Sequence, residues 1–385
     1  MNYQKCMTFV TVNGTFFTLF MDSKMGMNFR ETKFGNVYAN EQALSELDSL
    51  LGLYSESESL VFFLVDENTH EKCLVRLIPE LPSLGKYEIL EVPAGEESKS
   101  IEVVYNLWTS LSELGADRHA LLVNVGGGMI TDLGGFVAST YKRGIEFAHV
   151  PTSLLGMVDA SLGGKTGIDV EGAKNLVGTF ASTKGVFLIP DFLETLPERD
   201  TLSGFAEMIK HALISSEDEW KRISKSNPLT LWEQPDVVRD SMKVKLDVVE
   251  DDPKEAGARK HLNFGHTFGH ALESFFLDSN PENPLLHGEA IAHGMWMEVE
   301  ASVMTCGLSR ETANEIQALI DETYPAISID ESKYEAVLEW LKFDKKNSGG
   351  SVRFVLLEKI GKPVRDRELS EEQMLEILRI RKTRN

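Results

Sequence analysis

Ala120-Leu-Leu-Val-Asn-Val-Gly-Gly-Gly-Met-Ile-Thr-Asp-Leu-Gly-Gly-Phe-Val-Ala-Ser139 is the stretch that decides the fold. Ala120 to Val125 is an apolar run of strand length, Gly126 to Gly128 is a turn, and Met129 to Ser139 has helical spacing. Similar runs recur at Leu60 to Asp66, Glu146 to Val150 and Val186 to Ile189, with helical patterns such as Ile101 to Leu114 between them. Strands that are apolar throughout, alternating with helices, predict a mostly parallel sheet covered on both faces.

The character changes after Pro197. Ser203 to Ile214, Pro235 to Val249, Thr267 to Phe276, Glu289 to Cys306 and Glu311 to Tyr324 all carry helical spacing, and only Val352 to Leu357 reads as a strand. The expectation is an α/β part before Pro197 and a mainly α-helical part after it. Asp278 to Pro284 reads as a polar, proline-bearing loop. A chain of 385 residues with 42% hydrophobic side chains is large enough for two cored domains. The net charge of −21 argues against nucleic acid or an anionic membrane as partner. A small anionic ligand then requires cations gathered locally inside a cleft. Cys6, Cys73 and Cys306 are odd in number and far apart, which fits a reducing cytoplasm rather than a disulfide framework. No apolar run reaches the ~18 residues of a membrane span. Thr8 to Met21 is apolar but broken by Asn13, Gly14 and threonines, so no cleaved signal peptide is expected, and Met25 and Met27 are alternative starts.

Several segments carry chemistry. Glycines at 126–128, between a strand and a helix, let the backbone approach a diphosphate at a helix N-terminus. Asp66 at a strand end and Pro93 to Lys99 are further candidates for ribose and phosphate contacts. Val158 to Thr166 is a second Gly-rich loop, ending in Lys165-Thr166. It lacks the first glycine of a nucleoside-triphosphate loop, and with Lys174-Asn175 it suits an oxyanion. In Asn263-Phe-Gly-His-Thr-Phe-Gly-His270 two imidazoles four residues apart share one helix face, and His287-Gly-Glu289 follows. With one carboxylate from elsewhere such a set makes an open metal site. Glu207, one turn before Lys210 in Gly204 to His211, is the natural carboxylate, whereas His211 is expected to pack or face solvent. Spacing does not say which of His266 and His270 is the ligand. Lys245, Arg259 and an Asp344 to Asn347 turn add cations to an acidic half.

These segments, in the order GGGMITDLGGF, YKRG, PTSLL, VDASLGGKTG, KN, GFAEMIKH, RKHLNFGHTFGH, LLHGEA and DKKN, closely resemble the 3-dehydroquinate synthase family of sugar-phosphate cyclases. The resemblance runs from about Asn36 to the C-terminus and leaves residues 1–30 as an unmatched extension. It implies a Rossmann-like NAD-binding domain over 31–197 and a helical metal- and substrate-binding domain over 198–385. A divalent metal, zinc or cobalt, is implied on Glu207, His266 and His287. NAD is implied on Asp66, Asn68, Glu96, Lys99, Gly127, Gly128, Asp132, Thr152, Ser153, Lys174 and Thr195. The substrate implied is 3-deoxy-arabino-heptulosonate 7-phosphate, an anionic sugar phosphate. It would meet Asp159, Lys165, Asn175, Lys210, Lys245, Arg259, Asn263, His270 and one of Lys345 or Lys346. Arg143 would reach a neighbouring subunit's phosphate across a homodimer. Related cyclases act on substrates without a carboxylate and would have no use for the Lys245 and Arg259 set. The other alternative is a metal-dependent polyol dehydrogenase, which would release NADH.

Overall fold

The computed structural model describes residues 7–12, 15–20, 29–171, 173–252, 257–346 and 352–383. In chain order its strands are β1 (Met7–Val12), β2 (Thr15–Phe20), β3 (Phe29–Arg30), β4 (Asn36–Ala39), β5 (Val61–Asp66), β6 (Tyr87–Val92), β7 (Leu121–Gly126), β8 (Glu146–Pro151), β9 (Lys165–Val170), β10 (Ala173–Phe180), β11 (Gly185–Leu188), β12 (Arg353–Lys359) and β13 (Lys362–Glu368). Seven strands form one sheet in the order β3-β4-β11-β8-β7-β5-β6. Every neighbouring pair is parallel except β3 and β4 at the edge. β5 and β7 are buried at every position. Phe63, Val65 and Val123 pack into the core of one sheet face, and Phe62, Leu64 and Leu122 into that of the other. That two-sided burial is why the strands are apolar throughout rather than alternating.

The strand order reverses between β5 and β7. The chain moves outward from β5 to β6, then returns to the other side of β5 for β7 and β8. Such a reversal opens a crevice at the carboxyl ends of the strands. The core on the Phe63 face continues into the helical half through Ala206, Met208, Ile291 and Trp296. There the principal helices are Glu198–Ser215, Pro235–Asp251, His266–Ser279 and His287–Cys306. Among the described residues, no helix is long and apolar enough to cross a membrane.

Four expectations change. Val158 to Thr166 is not one loop: Gly156–Ala160 is a π-helical turn, and Lys165 opens β9, which forms an antiparallel hairpin with β10. β12 has a partner, β13, whose Lys362-Pro-Val-Arg-Asp-Arg-Glu368 composition gave no strand signal because most of it faces solvent. Asp344 to Lys346 close the Tyr334–Lys346 helix rather than forming a turn; the side chains of Lys345 and Lys346, and all of Asn347, lie outside the described residues. The unmatched extension reaches the fold before it ends. Phe29–Arg30 pairs with β4, and Arg30 bridges to Asp247 and Glu250 of the helical half, at 2.6 Å each.

Candidate active site and metal centre

The carboxyl ends of five parallel strands supply one wall of a cleft of about 1710 Å³. Asp66 closes β5 and caps the short turn that follows, its Oδ1 accepting the Thr69 N–H at 2.8 Å. Asn68 stands on that turn. Glu96 and Lys99 follow β6, Gly127 and Gly128 follow β7, Thr152 and Ser153 follow β8, and Thr195 follows β11; all line the cleft. The Gly128–Thr140 helix has Gly127 as its N-cap, so no cap side chain takes up its first N–H groups, and Gly127, Gly128 and Met129 line the cleft. Asp132, one turn in, accepts from Lys99 Nζ at 2.7 Å. Burial disfavours the ammonium, but Asp132 and Glu96 outweigh it and hold the Lys99 pKa above its ordinary value.

The opposite wall belongs to the helices. Glu207 is fully buried, and its Oε1 lies 3.6 Å from His266 Nε2 and 3.6 Å from His287 Nε2. Both carboxylate oxygens of Glu207 are shut off from solvent, and among the described residues neither has a hydrogen bond of good geometry. Lys210, on the next turn of the same helix, forms an ion pair with the other oxygen. Metal–ligand bonds of about 2.0–2.2 Å at tetrahedral angles set donor atoms ~3.4 Å apart, so these three atoms have the spacing of a shared cation. The imidazoles are oriented for it. His266 Nδ1–H donates to the Phe264 carbonyl at 3.2 Å and His287 Nδ1–H to Glu273 Oε2 at 3.3 Å, leaving both Nε2 atoms directed toward Glu207. The charge balance suits a cation too. Burial lowers the His287 pKa, yet Glu207 and Glu273 together push it up to about 9. Burial opposes the charge of Glu207, but Lys210, His287 and His266 hold its carboxyl well below the usual range.

Glycines make this meeting possible. Gly265 has φ +82, and a Cβ there would lie 2.3 Å from Met295 Cγ; a Cβ on Gly294 would lie 2.0 Å from the Gly265 carbonyl oxygen. The two histidine-bearing helices therefore touch backbone to backbone, which brings His266 and His287 side by side, ring centroids 5.6 Å apart. The carboxylate of buried Glu298 accepts the N–H groups of Gly265, Thr267 and Phe268 at 2.6, 3.1 and 3.3 Å, fixing the start of the His266 helix.

Next to the metal-type cluster is a ladder of alternating charge. The π-helical turn presents Asp159, whose Oδ1 is 2.7 Å from Lys245 Nζ and 4.0 Å from Lys210 Nζ. The Lys245 ammonium also donates to the Asp159 carbonyl at 2.7 Å. Burial lowers the Lys245 pKa, with Asp159 partly restoring it. Arg259, Asn263, His270, Lys165, Asn175 and Lys174 complete the lining. Asn175 has φ 53 at a bulge in the β9–β10 hairpin, and its N–H donates to Asp169 Oδ1 at 2.7 Å.

Thus the described side chains expected from the sequence line one cleft, with two exceptions: Glu207 is fully buried just behind the lining, against His266 and His287, and Arg143 is exposed on the Tyr141–Arg143 turn, away from it. His211 is fully buried rather than solvent-facing, with Nδ1 3.0 Å from Ser241 Oγ. Of the two helical imidazoles, His266 faces Glu207, while His270 groups with Glu273 and His287. Glu273 itself was missed. It follows His266 by seven residues and His270 by three, so it shares their helix face, and that spacing was the available signal.

The family model described as 3-dehydroquinate synthase N-terminal matches residues 89–203, and the C-terminal one matches residues 204–347. The 3-dehydroquinate synthase of Parabacteroides distasonis is 43% identical over 336 residues, covering 87% of this chain and 94% of that protein. The chain belongs to the 3-dehydroquinate synthase family. The 3-dehydroquinate synthase of Listeria monocytogenes (serotype 4a) is 38% identical over 85% of this chain and 90% of its own length. In fold the chain also matches a 2-deoxy-scyllo-inosose synthase solved with carbaglucose-6-phosphate, NAD+ and Co2+ (TM-score 0.80, 23% identity), covering 91% of this chain and 99% of that one.

Proposed function

We propose that the cleft converts 3-deoxy-D-arabino-heptulosonate 7-phosphate into 3-dehydroquinate and phosphate, as a lyase using NAD and a divalent cation. The reading rests on one observation above all: Glu207 faces both His266 and His287 at 3.6 Å, all three ligand atoms within 4.8 Å of one another, beside a strand-end crevice with an uncapped helix N-terminus. When bound, NAD would take a hydride from C5 and later return it, and zinc or cobalt would polarise the C4 and C5 oxygens. The nucleotide would lie on Asp66, Asn68, Glu96, Lys99, Gly127, Gly128, Asp132, Thr152, Ser153, Lys174 and Thr195. The substrate would span from the hairpin to the helices. Lys165 and Asn175 hold its phosphate, while Lys245 and Arg259 pair its carboxylate, with Asn263 and one of Lys345 or Lys346 beside them. Asp159 and Lys210 keep that cationic set in place. His270 serves the hydroxyl protons near the metal. With the cofactor bound, the C6 proton, acidified by a C5 ketone, would pass to the substrate's own phosphate, which would leave by β-elimination; after return of the hydride, ring opening would free the ketone for intramolecular aldol closure.

Incubation with the heptulosonate phosphate, NAD and zinc should release phosphate and 3-dehydroquinate in equal amounts, with no lasting NADH. Stoichiometric NADH accumulation with an alcohol would replace this reading by a polyol dehydrogenase. A homodimer is part of the proposal. It is supported by Arg143, exposed outside the cleft, and by Leu176 and Phe180 of β10, exposed on the hairpin. Arg143→Ala mixed with Glu207→Ala should regain activity that neither variant has alone; no gain on mixing would remove the cross-subunit role. A cytoplasmic location fits the unpaired Cys73 and Cys306.

A further inference from the structure

We propose that Glu273 is the positioning residue of the metal centre, holding His287 as a ligand and itself held by Lys174 of the cofactor-side hairpin. The inference rests on the metal reading above. The two imidazoles facing Glu207 are oriented by different means. His266 donates from Nδ1 to a backbone carbonyl, which no substitution removes. His287 depends on a side chain, Glu273 Oε2, at 3.3 Å. An imidazole can offer its Nε2 lone pair to a cation only when the proton sits on Nδ1, and an acceptor at Nδ1 fixes both that tautomer and the ring plane.

Glu273 is built for this task. It is 7% exposed and lies on the same helix face as His266. Its second oxygen, Oε1, accepts from Lys174 Nζ at 2.5 Å. Lys174 sits on β10 beside the bulge between Ala173 and Val177, on the opposite wall of the cleft. One carboxylate therefore ties the hairpin to a metal ligand, with the cation compensating its burial. The order Lys174, Glu273, His287, Glu207 is a continuous chain of contacts at 2.5, 3.3 and 3.6 Å.

The test is a Co2+ titration of the metal-free full chain, without NAD or substrate, read by affinity against a chromophoric chelator and by the visible spectrum of bound cobalt. Glu273→Met keeps the length of the side chain but removes the acceptor, and Glu273→Gln keeps an acceptor without the charge. Glu273→Met should weaken Co2+ binding about 10- to 100-fold and alter the spectrum. Glu273→Gln should recover most of that loss, and Lys174→Ala should show a smaller loss of the same sign. Parental affinity and spectrum in Glu273→Met overturn the proposal, as does a loss in Glu273→Gln equal to that in Glu273→Met, since charge alone would then explain it. Should Glu273→Met fail to fold by circular dichroism, Glu273→Gln and Lys174→Ala decide: an unchanged spectrum and affinity in both overturns the proposal. If the parent chain itself binds no Co2+, it is the metal reading that fails.

Discussion

The sheet half and the helical half are both well packed, yet they treat charge in opposite ways. β5 and β7 bury Phe62, Phe63, Leu64, Leu122 and Val123 completely, and most chemistry-bearing groups of that half stand at or just beyond strand ends, the Lys99–Asp132 pair with its buried ammonium being the exception. The helical half buries Glu207, Lys210, His211, Lys245, Arg259, Glu273 and Glu298 within its helices and the turns that join them. Apolar strands make a scaffold that stays rigid while its rim presents backbone N–H groups. Buried ions make a site whose members depend on one another, because a lone buried charge is far more costly than a pair. Stability and activity should therefore separate in the first half and be entangled in the second.

Glu207→Ala should break the molecule most severely. It removes one donor of the cation site and strands buried Lys210. Phosphate release should vanish, and the metal-free chain should lose about 3–5 kcal/mol of stability by urea unfolding. Loss of activity with unchanged stability would erase the contrast. Phe63→Ala is the counterpart in the sheet: about 3–5 kcal/mol of stability lost to a core cavity, with kcat of the folded molecules unaltered. A matching fall in kcat would mean that the scaffold is not separable from the chemistry.

Lys165→Ala sharpens the division of the cleft itself. Loss of a charged hydrogen bond to phosphate, about 1.5–3 kcal/mol, should weaken heptulosonate phosphate binding roughly 10- to 150-fold while NAD binding stays as it was. Calorimetry with each ligand distinguishes this from equal losses. The smallest single-residue effect is on pH. Burial holds His149 in the sheet half, and His211 and His293 in the helical half, neutral down to about pH 3. Below pH 6.5 the unfolded chain takes up protons at these sites and the folded chain does not. The stability these histidines contribute is thus full above about pH 6.5 and lost as pH falls toward 3, by up to about 1.4 kcal/mol per pH unit for each. Buried Glu298, pushed up to about 8, acts in the opposite sense over the same range, so the histidine part is read as a difference: between pH 7.5 and 5.5, urea unfolding of His149→Gln should lose less stability than the parent, or gain more. An equal slope in that variant would mean that His149 is protonated in the fold.

The apolar runs around Val123 and Phe63 and the helical spacing after Pro197 announced the layers, because burial on two faces or on one stripe leaves its period in the sequence. The metal-type triad and its cations were legible through their spacing and the family resemblance. Glu298 was not, for a carboxylate 31 residues beyond Thr267 gives no local sign that it will cap the Thr267 helix. β13 was hidden because its pairing, not its side chains, makes it a strand.

By itself the sequence determined the central strands of the sheet, the principal helices, and which residue types gather the chemistry, since periodicity and glycine placement act over a few residues. Spacing left His266 and His270 equivalent and only the resemblance named His266; tertiary structure supplied the physical reason that His266 turns to Glu207, and it alone decided that Glu273 stands behind His287. Those outcomes depend on the depth at which two helices cross, and at Gly265 and Gly294 that depth is set by backbone contact between distant parts of the chain.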